Sequence, residues 1–385
     1  MKTKTTLLGI ISIITLTQSL VAKAPVDQPT VDTPAANHKV QIALLLDTSN
    51  SMDGLIDQAK SQLWKVVNTF IDARRDGEAP FVEVALYEYG NNNQSARSQY
   101  IRQVQPLTRD LDEVSKQLNA LSTNGGEEYC GAVIQRAITD LKWDQDAKTY
   151  KAIFIAGNEE FTQGSVDVRD ACKEGFSKGV IINTIHCGPR DEGISGSWHD
   201  GAALANGDFM IIDQDRAVCH IVAPQDQKIS DLGLELNKTY LGYGVHFKAG
   251  AAKQRQADEA AALESEAGAA VERAISKSSR NYHNSGWDLV DAVREKKVDL
   301  SKLPASELPA ELKNLKPEEI QQRVDEAARK RLEIQSQINT LNAERTAFVE
   351  AEQQKQAKSG DKTLDQVMVE TTRKQAIKLG YTFEN

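Results

Sequence analysis

The strongest constraint on the fold is an alternation of short apolar runs with amphipathic stretches. Residues 40–46 read VQIALLL, and so continuous an apolar strand is typical of a parallel sheet that is buried on both faces. Further apolar runs occupy residues 152–156, 180–186 and 209–212. Helical spacing of apolar residues predicts intervening helices at residues 55–73, 111–121, 130–141 and 166–178. This order predicts βαβ crossovers and an α/β fold, a doubly wound, mainly parallel six-stranded sheet with helices on both faces.

Two more strands and the sheet type indicate where a ligand would bind. Residues 82–89 and 100–104 flank a polar loop and are expected to form a hairpin, which adds an antiparallel edge. A last helix is expected within residues 216–237. Ligands of such sheets bind beyond the carboxyl ends of the strands. The loops after Leu46, Leu121 and Ala156 are therefore the first places to search for a site.

The amino-terminal residues predict export. Lys2 and Lys4 precede the apolar run LLGIISIITL, and Ala22-Lys23-Ala24 supplies small residues for cleavage. This is the pattern of a signal peptide at residues 1–24, with an uncleaved membrane anchor as the alternative. Residues 25–37 (PVDQPTVDTPAAN) are rich in Pro, Asp and Thr, which predicts a disordered spacer. The mature chain is thus expected to be periplasmic or secreted, without a membrane span.

Charge and cysteine content narrow the partners and the covalent structure. The formal net charge of −9 argues against nucleic acid or an anionic membrane surface as the main partner. An even number of cysteines in an exported chain predicts one or two disulfides. Free buried thiols are the alternative, and the pairing cannot be chosen from the sequence. The cysteines are Cys130, Cys172, Cys187 and Cys219.

Residues 249–385 have a helical character that differs from the preceding residues. Residues 251–274 are rich in Ala and Glu, and Pro317 followed by two acids is a strong helix start. A mostly apolar stripe then repeats at heptad positions, which predicts a coiled-coil-like helix about 60 Å long. Such a helix could form a hairpin with the Ala-rich stretch, or an arm for a homo-oligomer; a solvated lone helix is the alternative. The stripe consists of Ile320, Val324, Ala327, Arg331, Ile334, Ile338, Leu341, Arg345 and Phe348.

One short loop has the residues of a metal site. Asp47-Thr48-Ser49-Asn50-Ser51 follows directly on the apolar run and precedes a predicted helix. Its carboxylate and two hydroxyls, at alternate positions, can converge on one point above the sheet edge. Hard oxygen ligands of this kind suit Mg²⁺ or Mn²⁺. The simpler alternative is that Asp47, Ser49 and Ser51 cap the next helix.

A DxSxS motif after a buried strand resembles the metal-ion-dependent adhesion site of von Willebrand factor type A (vWA) domains. The resemblance covers about residues 38–240 and implies a Rossmann-like vWA domain at residues 38–248, with a helical region at 249–385. It also implies a binding module for protein–protein interaction or adhesion, whose ion accepts an Asp or Glu from a protein partner. Exported bacterial vWA proteins with helical extensions look similar throughout.

The other two ligand loops of the family match less well. The second usually supplies a threonine, and here Thr123 or Glu128 is the candidate, with Glu128 slightly favoured. An acid there would lower the electrophilicity of the ion. The third loop usually supplies an aspartate, but Gly157 stands at that position. Asn158 or Glu159 would have to substitute, or the third ligand is lost.

Enzyme motifs are absent from the sequence. It contains no HExxH, GxSxG, GxGxxG or Walker A pattern, and no nucleophile–base pair is visible. We therefore predict a binding module and not an enzyme. A metal-free structural or scaffold protein of the cell envelope is the alternative, and a hydrolase is a third.

Overall fold

The computed structural model describes residues 38–212, 220–263, 268–356 and 364–383. The predicted signal peptide and spacer, at residues 1–24 and 25–37, lie outside the described residues, as does Cys219. Among the helices that are described, none is long and apolar enough to cross a membrane.

The centre of the fold is a six-stranded sheet with the strand order β4-β3-β1-β5-β6-β7. Every neighbouring pair is parallel except β3 and β4, which form the antiparallel edge. The predicted sheet, including its antiparallel hairpin, is therefore confirmed. The strands are β1 (Lys39–Asp47), β3 (Phe81–Tyr89), β4 (Arg102–Thr108), β5 (Tyr150–Gly157), β6 (Ile181–Cys187) and β7 (Phe209–Ile212); β2 (Ala73–Arg74) lies outside this sheet.

Helices cover both faces of the sheet because β1 is apolar on both. Ile42 and Leu44 point into one core, which α1, α2 and a carboxyl-terminal helix close. Ala43 and Leu45 point into the other, which α3, α4 and α6 close. The crossover helices are α1 (Asp53–Asn68), α2 (Leu111–Asn119), α3 (Cys130–Asp140), α4 (Val168–Ser177), α5 (Arg190–Ser195) and α6 (Trp198–Leu204).

The carboxyl-terminal half is helical. Its elements are α7 (Asp226–Asn237), α8 (Phe247–Leu263), α9 (Ala269–Ser278), α10 (Leu289–Arg294), α11 (Pro317–Gln356), α12 (Leu364–Lys378) and β8 (Thr382–Phe383). α1 ends five residues before the predicted end of its helix at residue 73, because the chain turns there into β2, which pairs with β8.

The heptad stripe of α11 is buried, but against helices of the same chain. Ile334 and Ile338 share a core with α7 and α9, while Ile320 and Val324 share one with α10. The predicted coiled-coil pairing is thus replaced by packing across several shorter helices. Leu263, in the Ala-rich stretch that was expected to pair with this helix, is 86% exposed.

Two arginines interrupt this stripe, and both are buried in ion pairs. Arg331 Nη1 lies 2.7 Å from Asp288 Oδ2 and 2.9 Å from Asp291 Oδ1. Arg345 Nε lies 2.8 Å from Asp226 Oδ1. The two arginines at stripe positions therefore form buried ion pairs, whereas on a solvated face their side chains would be exposed to water.

The helical half is joined to the sheet half by buried polar contacts. Arg273 Nη1 of α9 lies 2.7 Å from Asp112 Oδ1 of α2, and both side chains are 3% exposed. Tyr282 donates a hydrogen bond of 2.7 Å to Asp112 Oδ2. At the carboxyl end, Ala376 and Tyr381 enter the same hydrophobic core as β1. The two halves are therefore packed as one continuous structure across residues 38–383, within the described ranges.

The cysteines differ from the expected disulfides. Cys130, Cys172 and Cys187 are free, buried thiols, so the predicted bridges do not form among these three. Burial raises the pKa of the Cys130 thiol well above its ordinary value, which keeps it neutral.

Candidate functional site

The last residue of β1 is the centre of the candidate site. Asp47 is fully buried, and its Oδ1 accepts a hydrogen bond of 2.8 Å from the main-chain N–H of Ser49. Asp47 Oδ2 is buried without a hydrogen-bond partner in the described chain. The N-cap of α1 is Met52, whose side chain makes no capping hydrogen bond. One oxygen of this carboxylate is therefore available to bind an ion or another ligand.

The two serine hydroxyls of the loop lie beside this carboxylate. Ser49 Oγ and Ser51 Oγ are 3.5 Å apart. Asn158 reaches them from the loop after β5, where its Nδ2 donates a hydrogen bond of 3.1 Å to Ser51 Oγ. Asn158 Oδ1 is buried and has no hydrogen-bond partner within residues 38–383 as described. A third loop thus contributes an amide to the same group of oxygens.

Glu128 supplies a second buried carboxylate. Glu128 is 7% exposed, and its Oε2 has no hydrogen-bond partner in the described parts of the chain. Gly90 separates it from Asp47: a Cβ atom on Gly90 would lie 2.8 Å from both Asp47 Oδ1 and Glu128 Cγ. Gly90 also has φ of +76°, so no other residue fits there without strain. The two carboxyl groups therefore flank one glycine.

Burial and nearby negative charges act on both carboxyl groups. Burial raises the pKa of Asp47 far above its ordinary value, although hydrogen bonds from Ser49 oppose the shift. Burial likewise raises the pKa of Glu128, and the negative charges of Asp47 and Glu159 raise it further. Two buried acids that repel each other are stabilised by a cation placed between them.

The side chains of the other two predicted ligands are not directed into this group of oxygens. Thr123 donates its hydroxyl to Asp53 Oδ1, at the start of α1. Glu159 is exposed, and only its main-chain carbonyl is fixed, by a hydrogen bond of 2.8 Å from Trp198 Nε1. Of the predicted set, the structure brings together Asp47, Ser49, Ser51, Glu128 and Asn158.

The position of the usual third-loop aspartate is sterically closed. A Cβ atom on Gly157 would lie 2.4 Å from Tyr89 Oη and 3.1 Å from Asp47 Oδ2. Tyr89 is held there because its hydroxyl donates a hydrogen bond of 2.8 Å to the carbonyl of Ala156. The loop after β5 can therefore contribute from Asn158 onward, but not from residue 157.

Asn91, which the sequence did not single out, fastens two of the site loops together. Its Nδ2 donates to Ser122 O at 2.8 Å and to Thr48 Oγ1 at 3.2 Å. Gln163 makes a similar tie, since its Oε1 accepts a hydrogen bond of 2.6 Å from the N–H of Glu128. The signal for Asn91 was present in the sequence as three consecutive asparagines, which follow Gly90 after the end of β3.

The donor set fits a hard divalent cation. Two carboxylates, two hydroxyls and an amide oxygen are the ligand types that Mg²⁺ and Mn²⁺ accept. The side chains that would hold the ion are Asp47, Ser49, Ser51 and Glu128, with Asn158 beside them. No group of three or more His, Cys, Asp and Glu side chains is arranged for a metal in the described residues, so a site here depends on its hydroxyls and amide.

A buried strand that ends in DxSxS, at the carboxyl edge of a mainly parallel sheet, defines a class of α/β binding domains. Residues 41–196 match the model of the von Willebrand factor type A domain. This chain therefore contains a vWA domain, followed by a helical carboxyl-terminal region. A search of the curated proteins finds no match.

Several solved structures are similar to the chain. The conserved hypothetical protein BatB from Bacteroides thetaiotaomicron is 15% identical, with a TM-score of 0.35 over 45% of this chain and 90% of that one. The SpRpn10 VWA domain is 18% identical, with a TM-score of 0.34 over 45% of this chain and 88% of that one. The pilus adhesin SpaC from Lactobacillus rhamnosus GG, in its open conformation, is 13% identical, with a TM-score of 0.36 over 46% of this chain and 28% of that one.

Proposed function

We propose that this protein is an interaction module whose binding face is the carboxyl edge of the vWA sheet, centred on a divalent-cation site. The observation that carries the proposal is the pair of buried oxygens without hydrogen-bond partners, Asp47 Oδ2 and Glu128 Oε2. Unpaired buried carboxylates are costly, and a bound cation would offset that cost. Mg²⁺ or Mn²⁺ would supply the positive charge, and the side chains of Ser49, Ser51 and Asn158 would hold the ion in position.

The partner is a protein that approaches this edge and adds an oxygen ligand to the ion. An Asp or Glu is the ligand that the family resemblance predicts. The signal peptide at residues 1–24 and the spacer at 25–37 would deliver the chain to the periplasm or outside the cell. The helical region at 249–385 packs against the vWA module and supports it. A homo-oligomer through these helices would have to use their outer faces, such as the one with exposed Leu332, because the heptad stripe is buried.

A metal-free scaffold of the cell envelope is the second candidate. Gly157 favours it, because the third loop lacks the usual aspartate and has no room for one. In that case, the face would bind its partner through its polar loops alone. An enzymatic role has no nucleophile–base pair to support it, and the prediction of a non-enzyme rests on that argument.

Affinity capture from envelope extract tests the proposal against the scaffold alternative. The bait is the full chain in Mn²⁺ or in chelator, beside Asp47→Asn and the exposed control Asp57→Asn. We expect a partner that is retained by wild type and Asp57→Asn in Mn²⁺, and lost in chelator or with Asp47→Asn. Equal retention under all conditions would favour the metal-free scaffold.

A further inference from the structure

Exposed carboxylates lie next in sequence to two residues of the candidate site. Glu127 directly precedes Glu128, and Glu159 and Glu160 directly follow Asn158. All three are exposed, and none forms an ion pair with a basic side chain in the part of the chain that the structure describes. We call Glu127, Glu159 and Glu160 the acidic rim.

The rim is fixed around the site by the tertiary structure. The hydrogen bond from Glu128 N to Gln163 Oε1 joins the second loop to the third, at 2.6 Å. Trp198 Nε1 holds the carbonyl of Glu159 at 2.8 Å, and the N–H of Phe161 donates to Gly196 O at 2.9 Å. The main chain that carries the rim is therefore anchored in both loops, the one with Glu128 and the one with Asn158.

We infer that the partner of this site presents a net basic surface, with Lys or Arg side chains that pair with Glu127, Glu159 and Glu160 around the ion. The inference rests on the proposed function for the location of the contact. The resemblance to the family predicts only one acidic ligand from the partner. The inference adds the charge of the partner surface around that ligand.

The charge balance at the centre of the site disfavours an acidic partner. Asp47 and Glu128 together neutralise a divalent ion, so the occupied centre would offer no net positive charge to an incoming carboxylate. The rim then adds three negative charges on residues adjacent in sequence to Glu128 and Asn158. Over the roughly 8 Å Debye length at physiological salt, these charges repel an acidic partner and attract a basic one.

The buried oxygens supply an independent sign that the rim surrounds a binding site. Asp47 Oδ2 and Glu128 Oε2 are buried, without hydrogen-bond partners in the described structure. Asn158, which directly precedes Glu159, donates a hydrogen bond of 3.1 Å from its Nδ2 to Ser51 Oγ, so this part of the rim adjoins the site. A partner that brings only an acid would be repelled by the negative charges of the rim, whereas flanking Lys or Arg residues would neutralise those charges.

Two matched peptides separate these cases, each with a central Asp flanked on both sides by two residues of one kind. One peptide has Lys flanks and the other has Glu flanks, and both are titrated into the full-length protein with saturating Mn²⁺. Three exposed ion pairs are expected to give the Lys-flanked peptide an advantage of about tenfold, reduced by added salt. The triple variant Glu127→Gln/Glu159→Gln/Glu160→Gln should lose that advantage. The matched triple variant Glu318→Gln/Glu333→Gln/Glu350→Gln, on the outer face of α11, should keep it.

Equal binding of the two peptides, tighter binding of the Glu-flanked peptide, or no binding of either would overturn the inference. Calorimetry with Mn²⁺ alone tests the cation site separately. If Mn²⁺ does not bind while the Lys-flanked peptide is still preferred, the metal part of the proposed function fails and the basic partner stands. If Mn²⁺ binds and the peptides do not differ, the basic partner fails and the cation site stands.

Discussion

Gly157 lies directly against the Asp47 carboxylate: a Cβ atom on Gly157 would be 3.1 Å from Asp47 Oδ2. The position at which the family usually carries an aspartate therefore has no room for a side chain in this protein. The second carboxylate of the candidate site is that of Glu128, on the loop before α3. The candidate site thus has two acids, but it draws the second from a different loop than the family pattern does.

The fit around Gly157 predicts that even a methyl group there is destabilising. In Gly157→Ala the new Cβ meets Tyr89 Oη at 2.4 Å, and Tyr89 is buried and hydrogen-bonded to Ala156 O. We expect a loss of about 1–3 kcal/mol in the free energy of unfolding, measured in urea. Adding Tyr89→Phe removes the clashing oxygen, so the double variant should lose less than the sum of the two single variants. Strict additivity would show that the two residues are not in contact.

Asn91 should control the affinity of the site for the ion without being a ligand. Asn91→Ala removes the ties to Ser122 and Thr48, which frees the first two loops to separate. Loss of such supporting contacts typically weakens metal affinity by about 10–100-fold. Titration calorimetry with Mn²⁺ measures the effect. The neighbouring Asn92→Ala, on an exposed side chain, should bind like wild type, and equal affinity in the two variants would remove Asn91 from the account.

The link between the sheet and the helical half should be costly to break. Arg273→Met leaves Asp112 and Asp258 buried without their guanidinium, which lies 2.7 Å and 2.8 Å from them in the native protein. Breaking a buried pair from one side costs about 3–5 kcal/mol. Chemical unfolding followed by circular dichroism gives the value. The exposed Arg255→Met on α8 is the control, with an expected change of at most about 0.5 kcal/mol.

Acid sensitivity should arise in part from Asp226. Burial alone would raise its pKa, but hydrogen bonds from His220, the N–H of Ala223 and Arg345 outweigh burial and lower the pKa of Asp226. The unfolded chain then binds the proton more readily, so stability rises with pH through this range. Asp226 contributes fully above its ordinary pKa of about 3.9, and the contribution disappears as the pH falls through the lower folded-state value.

Asp226→Asn should therefore be less stable than wild type at pH 7 and lose less stability when the pH is lowered below about 4. Unfolding curves at a series of pH values measure both effects. Asp231→Asn, an exposed change on the same helix, should keep the wild-type profile. Parallel pH profiles for wild type and Asp226→Asn would show that this carboxylate does not contribute to the acid dependence.

The sequence predicted the sheet well because the apolar periodicity of strands such as residues 40–46 is a local signal. It also predicted that Asp47, Ser49 and Ser51 lie together, since they share one turn. It favoured Glu128 over Thr123 only slightly, because that choice depends on the path of a loop that Asn91 and Gln163 fix from other parts of the chain.

The helical half shows the same limit. The stripe on α11 was visible in the sequence, but what covers it was not. Arg331 and Arg345 receive their carboxylate partners from α10, α9 and α7, which are distant in sequence. A heptad pattern reports that a face is buried, and it does not report whether a second long helix or several short ones bury it.

The most direct test of the cation site is thermal unfolding of the full chain with and without Mn²⁺, for wild type, Asp47→Asn, Glu128→Gln and the control Asp57→Asn. At a hundredfold excess over its dissociation constant, an ion that binds only the folded state stabilises it by about 2.7 kcal/mol. We predict a higher melting temperature with Mn²⁺ for wild type and Asp57→Asn, and no rise for Asp47→Asn or Glu128→Gln. A wild-type melting temperature that Mn²⁺ and Mg²⁺ leave unchanged would contradict the account.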